Sequence, residues 1–412
     1  MSALTNIFTD IANSLRSKMG TQDTFLPSQM AGAINNIPTG GGAFEITTGA
    51  ILSSFNMPVI ISNNVKSMYN CFCNCWNFNQ PVIIPDNVTN MANCFSDCWN
   101  FNQPITIPNN VTNMVNCFRA CQYFNQPITI PDKVTSMYGC FNACGKFNQP
   151  ITIPNNVTSL STLFLACSNF NQPITIPNNV TTMTSCFQSC VKFNQPVIIP
   201  NNVTTMMYCF SGCNNFNQPI TIPNNVTSMY ECFRNCFNFN QLITIPDKVT
   251  SMANCFNNCR NFNSPVTISS NSVLSNMSDC FRYCNNFNQP ITIPNNVTNM
   301  SYCFCQCFNF NQSITIPDKA INMVGCFNYC SNFGQNIYFK NSSRLTRRTV
   351  VGMFYNTNNL LIKNIFCNNA EPFLGTSLQE RIAAISSWNM LPDGNGYYNT
   401  SVNIYIYNNW TP

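Results

Sequence analysis

Histidine is absent from these 412 residues, and charge is scarce: Asp, Glu, Lys and Arg together make up 8% of the chain, with a net charge of +5. Without histidine there is no Ser-His or Cys-His nucleophile and no His-containing metal site. Acidic residues are equally sparse. Glycoside hydrolysis needs two carboxylates roughly 5–9.5 Å apart. Here Asp97, Glu231 and Asp279 have no acidic counterpart 23 residues away, and Asp132, Asp247 and Asp318 each sit in a turn beside a lysine. The composition therefore points away from an enzyme, and no cofactor or metal is expected. So few basic residues, thinly spread, do not make a nucleic-acid surface. No apolar run approaches the ~20 residues of a membrane helix, so membrane insertion is not expected. The N-terminus also lacks the basic-then-apolar layout of a signal peptide, which argues against general secretory export.

What the chain does have is repetition. The stretch Thr89 to Val111, TNMANCFSDCWNFNQPITIPNNV, recurs with a period of 23 residues. Its Cys-Phe marker falls at Cys71, Cys94, Cys117, Cys140, Cys186, Cys209, Cys232 and Cys255, with Leu163 in register between Cys140 and Cys186; after a two-residue insertion near Ser270 it resumes at Cys280, Cys303 and Cys326. Such a period is the signature of a solenoid, in which each unit buries its apolar face against its neighbours.

Within one unit, Met91, Cys94, Phe95 and Cys98 stand at i, i+3, i+4 and i+7, the spacing of one face of a short helix. Phe101 closes that face. Ile105-Thr106-Ile107 alternates over a β-branched run and predicts a short strand with both isoleucines inward. Pro108-Asn109-Asn110 is a turn, and Val111 opens a second extended segment.

The pattern ITIPxxVTxMxxCFxxCxxF resembles the BspA-type leucine-rich repeats of bacterial and phage surface proteins, and the FNQP segment is similar to a sister repeat family of bacterial surface lipoproteins. The resemblance spans most of the chain. It implies an α/β, right-handed leucine-rich-repeat solenoid of about 12–13 coils, commonly used in adhesion. This chain departs from it in placing Cys where that family more often has Ala or Gly before Phe.

The 26 cysteines admit three readings: metal ligands, disulfides, or small apolar side chains in the core. The C-F-x-x-C spacing differs from the C-x-x-C knuckle of zinc sites. At Leu163 the first Cys is replaced and the rhythm continues, so the core reading is preferred. Cys73 and Cys305 fall on the other face and are expected to be exposed. Asn79, Asn102, Asn125, Asn148 and onward to Asn311 precede Gln-Pro and should bond the backbone of the adjacent coil. The Asn-Val-Thr triplets at Asn87, Asn110 and Asn156 match the glycosylation sequon but read as turn chemistry.

Three regions are expected: residues 1–42, a helical attachment module ending in a Gly-rich linker; 43–367, the solenoid; and 368–412, a small α+β cap. Leu4, Ile7, Phe8, Ile11 and Leu15 form a helical apolar stripe stopped by Gly20. The run IFTDIANSLRSKMGTQDTFLPSQMAGAINNI resembles the helical N-terminal module of phage tail and fibre proteins, of the form IADAIRxKTGxxDxIxPxxMAxxI. That resemblance implies virion attachment through the N-terminus; a plain helical cap is the alternative. At the other end, Gly352-Met353-Phe354 echoes Gly325-Cys326-Phe327 as a worn thirteenth coil, after an insertion carrying Arg344, Arg347 and Arg348. Ser377 and Glu380 form a capping box before a helix through Ile382, Ala384 and Ile385, and Val402, Ile404 and Ile406 alternate as a strand.

Positions that vary from coil to coil are free to carry recognition. The residue after the second Cys reads Trp76, Trp99, Gln122, Gly145, Ser168, Val191, Asn214, Phe237, Arg260, Asn285, Phe308 and Ser331. That spread places the column at the surface. Trp76, Trp99, Phe237, Arg260 and Phe308, with neighbouring Tyr123, are the candidate ligand-binding residues. The alternative is that each aromatic only covers the loop of the next coil. The resulting expectation is a non-enzymatic phage tail, baseplate or fibre protein, made in the host cytoplasm. It would contact other tail or baseplate proteins through the N-terminus and bind a host cell-surface protein or glycan, with a homo-oligomer (trimer) as a further expectation. The alternative is a bacterial BspA-like surface adhesin. A polysaccharide-degrading tail enzyme is disfavoured by the missing carboxylate pair.

Overall fold

Asn93 and Asp97, the residues just before the first and second cysteines of one coil, hold positive φ angles of 52° and 61°. These two angles decide the backbone of the coil. The computed structural model describes residues 55–56, 58–59, 61–340, 347–355, 357, 363–367 and 404–408. The chain divides into two units, Met1–Gln172 and Pro173–Pro412.

The Met-x-x-Cys-Phe-x-x-Cys segment is not the helix its spacing suggested. Its backbone is a run of tight turns, with a left-handed residue at every fourth position. In the first unit these are Asn70, Asn74, Asn93, Asp97, Asn116, Ala120, Gly139, Ala143, Thr162 and Ala166. A left-handed residue ends the i→i−4 ladder, and non-glycine residues take it up at a cost of roughly 1–2 kcal/mol each, less for Asn and Asp. The amide groups then alternate. Met91, Asn93, Phe95 and Asp97 donate to the following coil, at Asn113, Val115, Cys117 and Arg119, over 2.7–2.9 Å. Cys94, Ser96 and Cys98 donate back three residues, to Met91, Asn93 and Phe95, over 3.0–3.2 Å. Every amide of this wall from Met91 to Cys98 but Ala92 thus meets a backbone carbonyl, and Ala92 is bonded by the Asn90 side chain at 3.0 Å.

The Ile-Thr-Ile segments face inward as expected: Ile105 and Ile107 are buried and Thr106 is exposed. Few of them form strands. Among the described residues there are six: β1 (Ile243–Ile245), β2 (Val266–Ile268), β3 (Ile314–Ile316), β4 (Ile337–Phe339), β5 (Lys363–Cys367) and β6 (Ile404–Asn408). β1 pairs with β2, and β3-β4-β5-β6 form a second sheet, all pairs parallel. β1 and β3 begin where the usual proline is replaced, by Leu242 and Ser313. Proline lacks an N–H and fixes φ, so most proline-led segments lie extended without a ladder; β2 follows Pro265 and pairs because the Ile243 amide donates to the Pro265 carbonyl at 3.2 Å. The Val-Thr segments make single parallel bridges instead, such as Asn90 to Asn113 in the first unit and Thr205 to Ser228 in the second.

The core is columnar. Phe72, Phe95, Phe118, Phe141 and Phe164 stack with ring centroids 5.2–6.0 Å apart. Beside them Phe78, Phe101, Phe124, Phe147 and Phe170 stack at 5.9–6.1 Å. The second unit repeats both columns, from Phe187 to Phe354 and from Phe193 to Phe333. Full burial of each ring contributes about 1.5–3 kcal/mol, with about 0.5–1.5 kcal/mol more per stacked pair.

All cysteines with described side chains are free thiols, and all but Cys73 are buried. Cys305 is 2% exposed, which corrects the expectation that it faces solvent; Cys73 is half-buried. The second cysteine of each coil does more than fill space. Cys98 Sγ donates to the carbonyl of Phe72 at 2.9 Å, Cys121 to Phe95 at 3.1 Å and Cys144 to Phe118 at 2.9 Å. In the second unit Cys213, Cys236 and Cys259 do the same to Phe187, Phe210 and Phe233. Volume alone therefore explains the first column, where Leu163 fits, but not the second.

Asparagine forms a further ladder. Asn79, Asn102 and Asn125 each accept the backbone N–H of the corresponding asparagine in the next coil at 2.9 Å. In the second unit the ladder ends at Gly334, whose backbone N–H donates to Asn311 Oδ1 at 3.0 Å and which has no side-chain oxygen to accept a further rung. The sequon asparagines Asn87, Asn110 and Asn156 donate to turn carbonyls of the preceding coil, in keeping with turn chemistry. Lys133, Lys248 and Lys319 reach the asparagine of the previous turn.

Val350, Met353 and Phe354 are fully buried, and Phe354 stacks on Phe327 at 5.9 Å, as a worn last coil would place them. β6 accounts for the strand anticipated at Ile404 and Ile406, adding to the sheet edge at β5. The N-terminal stripe (Leu4, Ile7, Phe8, Ile11, Leu15) and the helix after Ser377 lie outside the described residues.

Candidate functional site

No member of the variable column after the second cysteine is buried, from Trp76 to Ser331. Its backbone is nonetheless fixed. The carbonyl of Trp76 accepts the N–H of Asn100, and that of Trp99 accepts the N–H of Tyr123, each at 3.1 Å. These rungs bring the two indoles face to face, with centroids 5.3 Å apart and planes within 11°. Each indole shields the other and still keeps 46% of its surface in solvent; Tyr123 keeps 55%.

Beside this pair lies a shallow, open depression of about 420 Å³, lined by Asn56, Asn77, Asn79, Asn100, Asn102 and Tyr123. Asn100 Nδ2 donates to Asn77 Oδ1 at 3.2 Å, so the two amides are held as a pair. No charged side chain lines it. Trp76, Trp99 and Tyr123 are candidates on sequence grounds; Asn79 and Asn102 belong to the backbone-bonding ladder there, and Asn77 and Asn100 carry no expectation. The available signal was the column after the tryptophans, which changes from Asn77 and Asn100 to Tyr123 and Lys146.

In the second unit the Arg260 guanidinium lies 5.0 Å above the ring of half-exposed Phe237. Phe308, two coils further on, is 38% exposed. Three coil carboxylates are bound to an arginine: Asp97 to Arg119 at 2.9 Å, Glu231 to Arg234 at 2.8 Å and Asp279 to Arg282 at 3.0 Å. Among the described residues no cluster of three His, Cys, Asp or Glu could hold a metal ion, and no helix is long and apolar enough to cross a membrane. Burial pushes the core thiols up, Cys71 and Cys75 to about 12 and Cys305 to about 11.

Five overlapping segments, 56–152, 108–197, 177–247, 204–315 and 293–370, match the family described as "Mycoplasma protein of unknown function, DUF285". The chain belongs to this family. No curated protein matches the DUF285 chain in sequence. Among solved structures it is similar to a leucine-rich repeat protein from Bacteroides ovatus, with 20% identity and a TM-score of 0.50 over 68% of this chain and 77% of that one. It is also similar to a leucine rich cell surface protein from Faecalibacterium prausnitzii, with 22% identity and a TM-score of 0.46 over 70% and 87% of the two chains. The first likeness bears out the fold reading: a repeat solenoid of the leucine-rich-repeat type. The family match begins at residue 56 and does not reach the module that resembles phage tail proteins.

Proposed function

We propose that this DUF285 protein is a non-enzymatic bacterial interaction protein, displayed at the cell surface, that binds through the variable column of its solenoid. The observation carrying this reading is the Trp76–Trp99 pair. Two large aromatics stacked and half-exposed beside an uncharged amide depression are built like an anchor, and such residues dominate binding surfaces. The repeat scaffold supplies a rigid base for it. The bacterial setting is favoured over a virion because the family and the Bacteroides ovatus protein are both bacterial. Immunogold labelling of intact producing cells tests the location: gold at the cell envelope is expected, and label confined to the cytoplasm contradicts it.

A virion role is a second reading, favoured only by the sequence of residues 1–42. It would have the N-terminus dock to other tail or baseplate proteins, with the solenoid turned to the host. Deleting residues 1–42 separates the two: loss of the protein from phage particles would support the virion, and absence of the full chain from any particle would remove it.

A further inference from the structure

The depression beside the Trp76–Trp99 pair has a chemistry more specific than an interaction surface requires. We infer that it is a binding site for a neutral carbohydrate chain; this rests on the binding role proposed above for the same face.

The first argument is charge. The lining is five asparagines and one tyrosine. Amides offer both donors and acceptors without net charge, so they match hydroxyl groups and give no reward to carboxylate, sulfate or phosphate. The nearest charged pair in the chain order, Asp97 with Arg119, is closed on itself at 2.9 Å and lies outside the lining.

The second is the pairing of flat and polar groups. Tyr123 presents an exposed ring beside paired amides, as a pyranose requires: an apolar C–H face to stack and a rim of hydroxyls to bond. Asn100 Nδ2 is spent on Asn77 Oδ1. Asn77 Nδ2 and Asn100 Oδ1 have no partner among the described residues and supply one donor and one acceptor to a ligand. Asn79 and Asn102 are locked by the backbone ladder through their Oδ1 atoms. They form a rigid floor rather than adaptable contacts.

The third is size. A volume of about 420 Å³ is within the range of small-molecule sites, and its open form lets a chain extend past either end. A folded protein partner would need ~800 Å² of complementary surface and a continuous apolar centre. The exposed apolar groups here are two indoles and one phenol.

Affinity electrophoresis of the full chain through gels containing neutral polymers (β-glucan, mannan, galactomannan, starch) or anionic ones (polygalacturonate, hyaluronate) tests the assignment. Retardation by at least one neutral polymer is expected, with affinity weakened roughly tenfold or more in Asn77→Ala/Asn100→Ala and in Tyr123→Ser. Tyr123→Phe keeps the stacking face and should retain most of the binding; thermal melting of each variant confirms that it is folded. Retardation by no neutral polymer overturns the assignment, as does retardation unchanged in the folded variants. Binding only to an anionic polymer or to a protein, abolished by Trp76→Ser/Trp99→Ser, overturns the carbohydrate and leaves the binding role of the face standing.

Discussion

Cys98 Sγ donates its hydrogen to the backbone carbonyl of Phe72, 2.9 Å away in the preceding coil. That carbonyl already accepts the amide of Cys75 at 3.1 Å. The thiol therefore satisfies a second lone pair inside an apolar core and ties two coils together at their most buried point. The first cysteine of the coil has a different task, because Leu163 performs it with no donor at all.

This difference predicts opposite rankings at two neighbouring cysteines. At Cys121, which bonds Phe95 at 3.1 Å, Ser keeps a donor and should be more stable than Ala by about 1 kcal/mol. At Cys117, Ser buries a hydroxyl where only volume is wanted, and Ala should be the better replacement. Urea unfolding of the four variants checks this; the same order at both positions would mean the thiol bond contributes nothing.

Stability should fall steeply in alkali. Burial raises the folded-state values of Cys71 and Cys75 to about 12 from an ordinary 9.0, and pushes most of the other core thiols well up. Below pH 9 both states hold the proton and the thiols do not make stability pH-dependent. Above it the unfolded chain loses protons that the folded chain keeps. Each such thiol then subtracts about 1.4 kcal/mol per pH unit up to its folded value. Melting followed from pH 7 to 10.5 under reducing conditions should show a plateau and then a collapse beginning near pH 9. Native alkylation at pH 8 should reach Cys73 before any other thiol of the coils, and should spare Cys305.

The asparagine ladder can be broken at one rung. Asn125 Oδ1 accepts from the backbone of Asn148 at 2.9 Å and from Gln149 Nε2 at 3.2 Å. Asn125→Ala leaves the Asn148 amide unserved, while Gln149 Nε2 keeps its bond to the residue-125 carbonyl at 3.1 Å, and should cost about 1–3 kcal/mol. Asn125→Asp keeps the acceptor and should cost clearly less. Equal losses would show that the ladder is incidental to coil stacking.

Much of the core was legible in the sequence. Met91, Cys94, Phe95 and Cys98 are all fully buried, as their spacing required. The backbone carrying them was not, since a run of turns with a left-handed residue at every fourth position puts the same side chains inward as a helix. Periodicity reports faces, not φ. A compositional clue stands in the first coils: Asn70, Asn93, Asn116 and Gly139 begin the first left-handed column, and Asn and Gly tolerate that region, whereas Thr162, Ser185, Tyr208 and Glu231 further along it give no such sign. Alternation at Ile105-Thr106-Ile107 reports which side chains face inward, while the flanking prolines keep most such segments from forming a strand ladder. For the candidate site, exposure of Trp76 and Trp99 followed from the variability of their column. The depression did not, because it forms from residues 23 apart that meet only when coils stack.

The stacked indoles should be visible in solution. The chain has 4 tryptophans, and two lie 5.3 Å apart. Their transitions should couple and give a paired feature in far-ultraviolet circular dichroism that either single Trp→Phe change removes. A spectrum unaltered by Trp76→Phe would mean the pair does not stack.

The most direct test of the central claim sets binding against stability in one variant, Trp76→Ser/Trp99→Ser, with fluorescently labelled full-length protein applied to a panel of bacterial and epithelial cell surfaces. The account predicts that surface binding seen with the unaltered chain is lost, while the melting temperature shifts by only a few degrees, because half-exposed rings contribute about 0.5–1.5 kcal/mol through their stack. Binding that survives the double change, or a collapse of the melting temperature, would contradict it.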